Sequence, residues 1–231
     1  MKIKNLKRVY VWERPVRVFH WLNVILIVVL CVTGYLIGNP PIIQDAQEAS
    51  FGYWFGTVRF IHFVAAYIFL FNYIFRVYWG FVGNEWANWK EFIPTNKKYF
   101  TEIMSVLRQD ILLIKVKPYH SFGHNALAGF SYFMTFIAFL FQVITGFALY
   151  ADMSNWWFPQ LFTWVQDLFG DDFSVRHIHH ILMWFFVIFS MIHIHLVIYH
   201  DLVEGRGEIS SMGGGWKFIE EEIIEKHQSK S

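Results

Sequence analysis

RHIHHILMWFFVIFSMIHIHLVIYH, residues 176–200, decides the class of this protein. Residues 177–200 contain no Asp, Glu, Lys or Arg, and a helix of about 20 mostly apolar residues spans a bilayer. Yet histidines stand at 177, 179, 180, 193, 195 and 200. An ionisable group inside a span is expensive and marks a functional site by default. Helix geometry sorts these positions. His179 and His193 fall within about 40° of one face and about 21 Å apart along the axis. His180 and His193 point to nearly opposite faces, and His180 with His195 is a poorer pairing, about 60° apart, that stays open.

Composition outside this stretch agrees with a membrane protein. The 231 residues are 55% apolar and 21% aromatic, with mean hydropathy +0.35. Only 16% are charged, against about 25% in soluble domains. This argues against a soluble globular protein and a disordered chain, and with a net charge of +1 nothing points to nucleic acid as a partner. Cys31 is alone, so the chain can form no internal disulfide, Cys-ligated iron–sulfur cluster or C-x-x-C-H haem attachment.

Intervals between charges predict four spans, at about 17–38, 57–82, 120–150 and 176–202. The second runs between Arg59 and Arg76 and reaches 82 if Arg76 snorkels its head to the interface. Six Lys/Arg lie in residues 1–19 and six in 81–120, while 39–56 and 151–175 have none. That alternation predicts both termini in the cytoplasm. The first span is too long for a signal-peptide core and lacks a small-residue cleavage site, so it reads as retained. Between spans two and three, Ile103, Val106, Leu107, Ile111 and Ile114 have helical spacing among Lys and Arg, an amphipathic segment on the inner surface. The expected fold is all-α: one integral membrane four-helix bundle. Residues 203–231 form a cytoplasmic tail, with a partly solvated helix after the triple glycine 213–215.

Interfacial hydrogen bonding accounts for His120, His177, His200 and His227, near or beyond span ends. The others form a constellation. His20 opens span one on the inner side and His62 opens span two on the outer side. Span four brings His179 to the outer depth and His193 to the inner. Arg59-x-x-His62 is echoed by Arg176-x-x-His179. Two bis-histidine centres follow: His62 with His179, and His20 with His193. Zinc or copper needs three or four protein ligands, whereas a tetrapyrrole brings four nitrogens and asks for two axial imidazoles. Two haem b groups fit. Gly34 and Gly146, in Val-Thr-Gly-Tyr-Leu and Ile-Thr-Gly-Phe-Ala, suit close haem packing or helix contact. Arg17, Arg59 and Arg176 suit propionate pairing or interface anchoring. Filled axial positions leave electron transfer as the activity.

Several phrases then resemble the cytochrome b subunit of membrane-bound nickel–iron uptake hydrogenases. They are Pro15-Val-Arg17-Val-Phe-His20-Trp, Thr33-Gly-Tyr-Leu-Ile-Gly38, Arg59-x-x-His62-Phe, Arg76-Val-Tyr-Trp-Gly-Phe-Val-Gly-Asn84, Gly123-His-Asn125, Ile144-Thr-Gly-Phe-Ala-Leu-Tyr150 and Arg176-x-x-His-His-x-x-Met-Trp184. The likeness covers roughly residues 8–203, and the Arg76–Asn84 phrase is the most specific to the hydrogenase branch. It implies a multi-pass subunit of the bacterial inner membrane. A periplasmic iron–sulfur small subunit, and through it the large subunit, would feed electrons to the outer haem, then the inner haem, then a quinone, menaquinone or ubiquinone. No hydrogen-splitting chemistry lies in this chain. By likeness to the formate dehydrogenase gamma subunit, Asn125 and His193 border the quinone; Asn125 also suits the N-cap of span three. His195 stands where the family usually has Tyr, so His193 and His195 both remain ligand candidates.

Competing readings are an equivalent subunit of a formate- or thiosulfate-type dehydrogenase, a standalone quinol oxidoreductase of b561 type, and a metal-ion transporter. Absence of Asp or Glu inside the spans, and of a broken helix, argues against the transporter.

Overall fold

In the computed structural model the described residues are 5–40, 53–93, 97–110 and 126–229. Four long apolar helices dominate: α1 (Arg14–Gly38), α2 (Trp54–Val82), α4 (Ala126–Ala151) and α7 (Asp172–Glu204). Shorter elements are β1 (Leu6–Tyr10), a 3-10 turn (Trp89–Glu91), α3 (Lys97–Asp110), α5 (Trp157–Gln160), α6 (Trp164–Phe169), α8 (Glu208–Gly214), β2 (Trp216–Glu220) and α9 (Glu221–Gln228). All four long helices are long and apolar enough to cross a membrane, and α4 is the most enclosed. The Asn39-Pro40 pair follows the end of α1, where proline disfavours further helix. Asp171 caps α7, its Oδ1 accepting the Ser174 N–H at 2.7 Å.

One compact unit comprises Trp21–Phe75 and Phe136–Met191. Its core is Leu26, Ala65, Phe69, Ala138, Phe139, Val143, Phe147 and Phe186, with Phe139 stacked on Phe186 at 4.7 Å. Its exterior is apolar as well: Ile25, Val28, Val32, Phe60, Val64, Phe71, Ile181 and Ile188 are exposed. Lipid is as apolar as these side chains, so packing and interhelical hydrogen bonds hold such helices together. Asn72 Nδ2 accordingly donates to Asn23 Oδ1 at 2.9 Å, joining α2 to α1 with both residues buried; such a bond contributes about 0.6 kcal/mol. The Gln166 amide ties α6 to the end of α4, donating to Ala148 O at 3.2 Å and Asp152 Oδ2 at 2.7 Å.

The other unit holds the described residues within Met1–His20, Arg76–Thr135 and Ile192–Ser231. Here the structure departs from the all-α expectation. β1 and β2 pair antiparallel, Leu6 opposite Glu220 and Tyr10 opposite Trp216. The triple glycine ends α8 and leads into β2, and the helix expected after it is α9, beyond that strand. Gly215 takes φ +88, where a Cβ would lie 2.6 Å from Trp12 O. Its carbonyl accepts from Val11 N at 2.8 Å and Trp12 N at 3.1 Å. Residues 205–229 pack through β2 on the N-terminal segment, with Val11, Trp12 and Ile219 as a buried cluster. Lys217 and Glu208 pair at 2.7 Å, with the Lys217 side chain nearly inaccessible. Lys7 and Glu221 pair at 2.5 Å.

The phrase Arg76–Asn84 has a structural role here. Glu13 accepts from Trp79 Nε1 at 3.0 Å and Asn84 N at 2.9 Å. Asn84 Nδ2 donates to Val11 O at 2.8 Å, so the end of α2 grips the segment after β1. The expected snorkelling of Arg76 is overturned: the residue is 7% exposed. Its guanidinium lies over the rings of Phe19, Trp89 and Phe92, and Nη2 donates to Ala87 O at 3.1 Å. The predicted amphipathic segment forms α3 as far as Asp110, with Ile103 and Val106 buried; Ile111 and Ile114 lie outside the described residues.

Candidate functional site

In the unit containing residues 21–75 and 136–191, His62 from α2 and His179 from α7 line one apolar cavity of about 470 Å³. That volume lies in the range of cofactor pockets, about 300–1,000 Å³. Gly34, Gly146, Arg59 and Arg176 line it too.

Local chemistry fixes how each ring is presented. Thr33 Oγ1 donates its proton to Val29 O at 2.6 Å. Toward His62 Nδ1, 2.8 Å away, it can then only accept. His62 therefore carries its proton on Nδ1 and keeps a lone pair on Nε2. Thr145 repeats the device: Oγ1 donates to Phe141 O at 2.7 Å and accepts from His179 Nδ1 at 2.9 Å. Both glycines then prove to be histidine clearances. A Cβ on Gly34 would stand 3.3 Å from His62 Cε1, and one on Gly146 would stand 3.0 Å from His179 Cε1. Each Thr-Gly pair on one helix thus orients the histidine of the next. The repeated phrases were visible in the sequence, but only their glycines were read; the threonine hydroxyls were the missed signal.

His179 Nε2 meets the Gln142 Nε2 amide at 3.1 Å, and Gln142 Oε1 is buried without a partner. An incoming metal and this amide compete for one lone pair. His180 lines the same cavity but packs on Gly38, where a Cβ would overlap its ring. Arg59 donates to Met153 Sδ. Arg176 pairs with Asp172 at 3.2 Å, both half exposed.

In the other unit, the rings of His20 (α1) and His193 (α7) stand 6.3 Å apart between centres. Two metal–imidazole bonds of about 2.0–2.1 Å, with about 1.1 Å from each nitrogen to its ring centre, span about 6.2–6.4 Å. Tyr132 flanks His193 at 6.0 Å. His195 is exposed on the helix surface, so the geometry favours His193. Arg17 Nη1 donates to Gly213 O, and its Nε is buried without a partner. Asn125 lies outside the described residues.

Among the described residues no three His, Cys, Asp or Glu side chains converge to hold a metal ion. Each histidine pair is therefore short of ligands for zinc or copper. The donor set would suit iron carried by a tetrapyrrole, which supplies four nitrogens of its own and would ask the protein for two imidazoles.

The family model for prokaryotic cytochrome b561 matches residues 11–215. A probable Ni/Fe-hydrogenase B-type cytochrome subunit of Azotobacter chroococcum is 40% identical over 225 residues, 96% of this chain and 93% of that protein. One of Cupriavidus necator is 39% identical over 219 residues, covering 93% and 88%. A probable Ni/Fe-hydrogenase 1 B-type cytochrome subunit of Escherichia coli is 33% identical over 221 residues, covering 94% and 93%.

Proposed function

Because the chain belongs to the prokaryotic cytochrome b561 family, we propose that it is the haem b electron-transfer subunit of a nickel–iron hydrogenase. It sits in the bacterial inner membrane with both termini cytoplasmic, α3 at the inner surface, and links a periplasmic iron–sulfur small subunit to a membrane quinone. The names of its relatives support the hydrogenase partner. The observation that carries the haem reading is the pair of two-histidine sets without a third ligand among the described residues, His20 and His193 at 6.3 Å above all.

Bound haem b supplies a one-electron iron couple. His62 and His179 offer Nε2 at the outer site, oriented by Thr33 and Thr145; His20 and His193 serve the inner site. Two imidazoles held by each iron would leave these sites to electron transfer, and hydrogen splitting to the partner. Arg59 and Arg176 give the cavity wall its cations for propionate carboxylates, and Arg17 keeps a buried Nε–H for the inner group. The apolar lining excludes water. Asn125 and His193 border a quinone, menaquinone or ubiquinone, near the cytoplasmic surface.

A pyridine haemochrome assay on the purified full chain tests this reading. The expected result is two b-type haems per polypeptide, reduced by hydrogen in membranes that contain the hydrogenase. Folded protein with no haem refutes it.

A further inference from the structure

Arg76 is the polar side chain that neither the fold nor the function above employs fully. It is 93% buried in a helix that reads as membrane-spanning, and its Nη1 has no hydrogen-bond partner. Among the described residues no carboxylate pairs with it; Glu13, in the same cluster, is taken by Trp79 and Asn84. Aromatic faces of Phe19, Trp89 and Phe92 within 5.2–5.9 Å and one carbonyl are its surroundings. A buried charge without a counter-charge is strongly unfavourable, so this guanidinium is built for an anion that the described residues do not supply.

Position identifies the anion. Phe19 precedes His20, and Phe92 stands 6.5 Å from Tyr132, which flanks His193 at 6.0 Å. Arg76 thus shares an aromatic wall with both inner histidines. It also lies at the depth of His20: each is six residues, about 9 Å, from the same-side end of its helix. Haem b carries two propionates, and Arg17, one turn before His20, accounts for one. We propose that Arg76 is the receptor for the other propionate carboxylate of the inner haem, binding it through Nη1. This rests on the two-haem reading above. A phospholipid phosphate offers similar anionic oxygens, but the roof of Phe19, Trp89 and Phe92 leaves the guanidinium nearly inaccessible from outside.

The test is a redox titration of the purified holo-cytochrome across pH 6 to 8, for the wild type, R76K and R76Q, with haem and phosphorus counted in each. Arg76 keeps the propionate ionised, so the wild-type inner potential is expected to be flat with pH. In R76Q one potential falls, because the oxidised iron no longer faces a compensated carboxylate. That potential also acquires a downward slope with rising pH, because the unpaired, buried propionate now takes up a proton on reduction. R76K retains the charge and returns the potential most of the way to wild type. Loss of a nearby charge alone would lower the potential without the slope.

R76Q with two haems and wild-type potentials at every pH overturns the proposal and leaves the two-haem reading standing. So does R76Q that loses only phospholipid phosphate. Should R76Q fail to fold, a wild-type inner potential that already slopes across this range overturns it, and a flat one shared by R76K supports it. Wild-type protein with fewer than two haems removes both readings together.

Discussion

Replacing Thr145 by valine removes one hydroxyl and keeps the shape of the side chain. Thr145 is 1% exposed, and its Oγ1 is the acceptor for His179 Nδ1–H at 2.9 Å. In T145V that N–H is left in an apolar wall, at a cost of about 1–3 kcal/mol. The ring can escape the cost by moving its proton to Nε2, where it blocks the axial position. Either route weakens haem binding. At about 1.4 kcal/mol per tenfold, the loss is roughly 5- to 150-fold in affinity, overlapping the 10- to 100-fold effect typical of partners behind a metal ligand. The assay is transfer of haem from the detergent-solubilised full chain to excess apomyoglobin, followed by absorbance. T145V should lose one of its haems tens of times faster than wild type, and T145S, which keeps an oxygen at the same place, should lose it at nearly the wild-type rate. Equal rates in all three would refute the claim that Thr145 fixes the histidine tautomer.

Other expectations follow from the same geometry. Gly146→Ala should lower haem content more than Gly34→Ala, since the added methyl would meet its histidine at 3.0 rather than 3.3 Å; haem per chain measures it. His193→Ala should cost one haem and His195→Ala none, because His195 is exposed while His193 faces His20; the haemochrome assay separates them. Asp171 accepts the Ser174 side-chain and backbone hydrogen bonds, which hold its carboxyl below the usual carboxylate range. Its contribution to α7 is therefore present above the unfolded-state pKa and lost as pH falls through the lower folded value. A thermal melt of Asp171→Asn should accordingly show less acid sensitivity than the wild type.

The membrane class, the four spans and the four histidines were readable along the chain because each depends on local rules. A charge-free run of about 20 residues can cross a bilayer wherever it sits, and 100° per residue places His179 and His193 on one face without knowledge of any other helix. The two-stranded sheet was hidden because Leu6–Tyr10 and Trp216–Glu220 are each five residues long and lie some 200 residues apart; neither has a partner until the chain has folded. The same holds at the sites. Thr33 and Thr145 look like ordinary helix residues bonding back to their own carbonyls, and only a neighbouring helix makes each hydroxyl an acceptor for an imidazole. Arg76 looked free to snorkel, because its long stem permits it. Phe19 from one segment and Trp89 and Phe92 from another close over it, and that enclosure belongs to the tertiary structure. Sequence by itself determined which segments form long apolar helices and which residue types stand along each of them. Tertiary structure decided which nitrogen His62 and His179 present and which cation stays buried, because hydrogen bonds and ring contacts between helices depend on distances that no spacing along one helix contains.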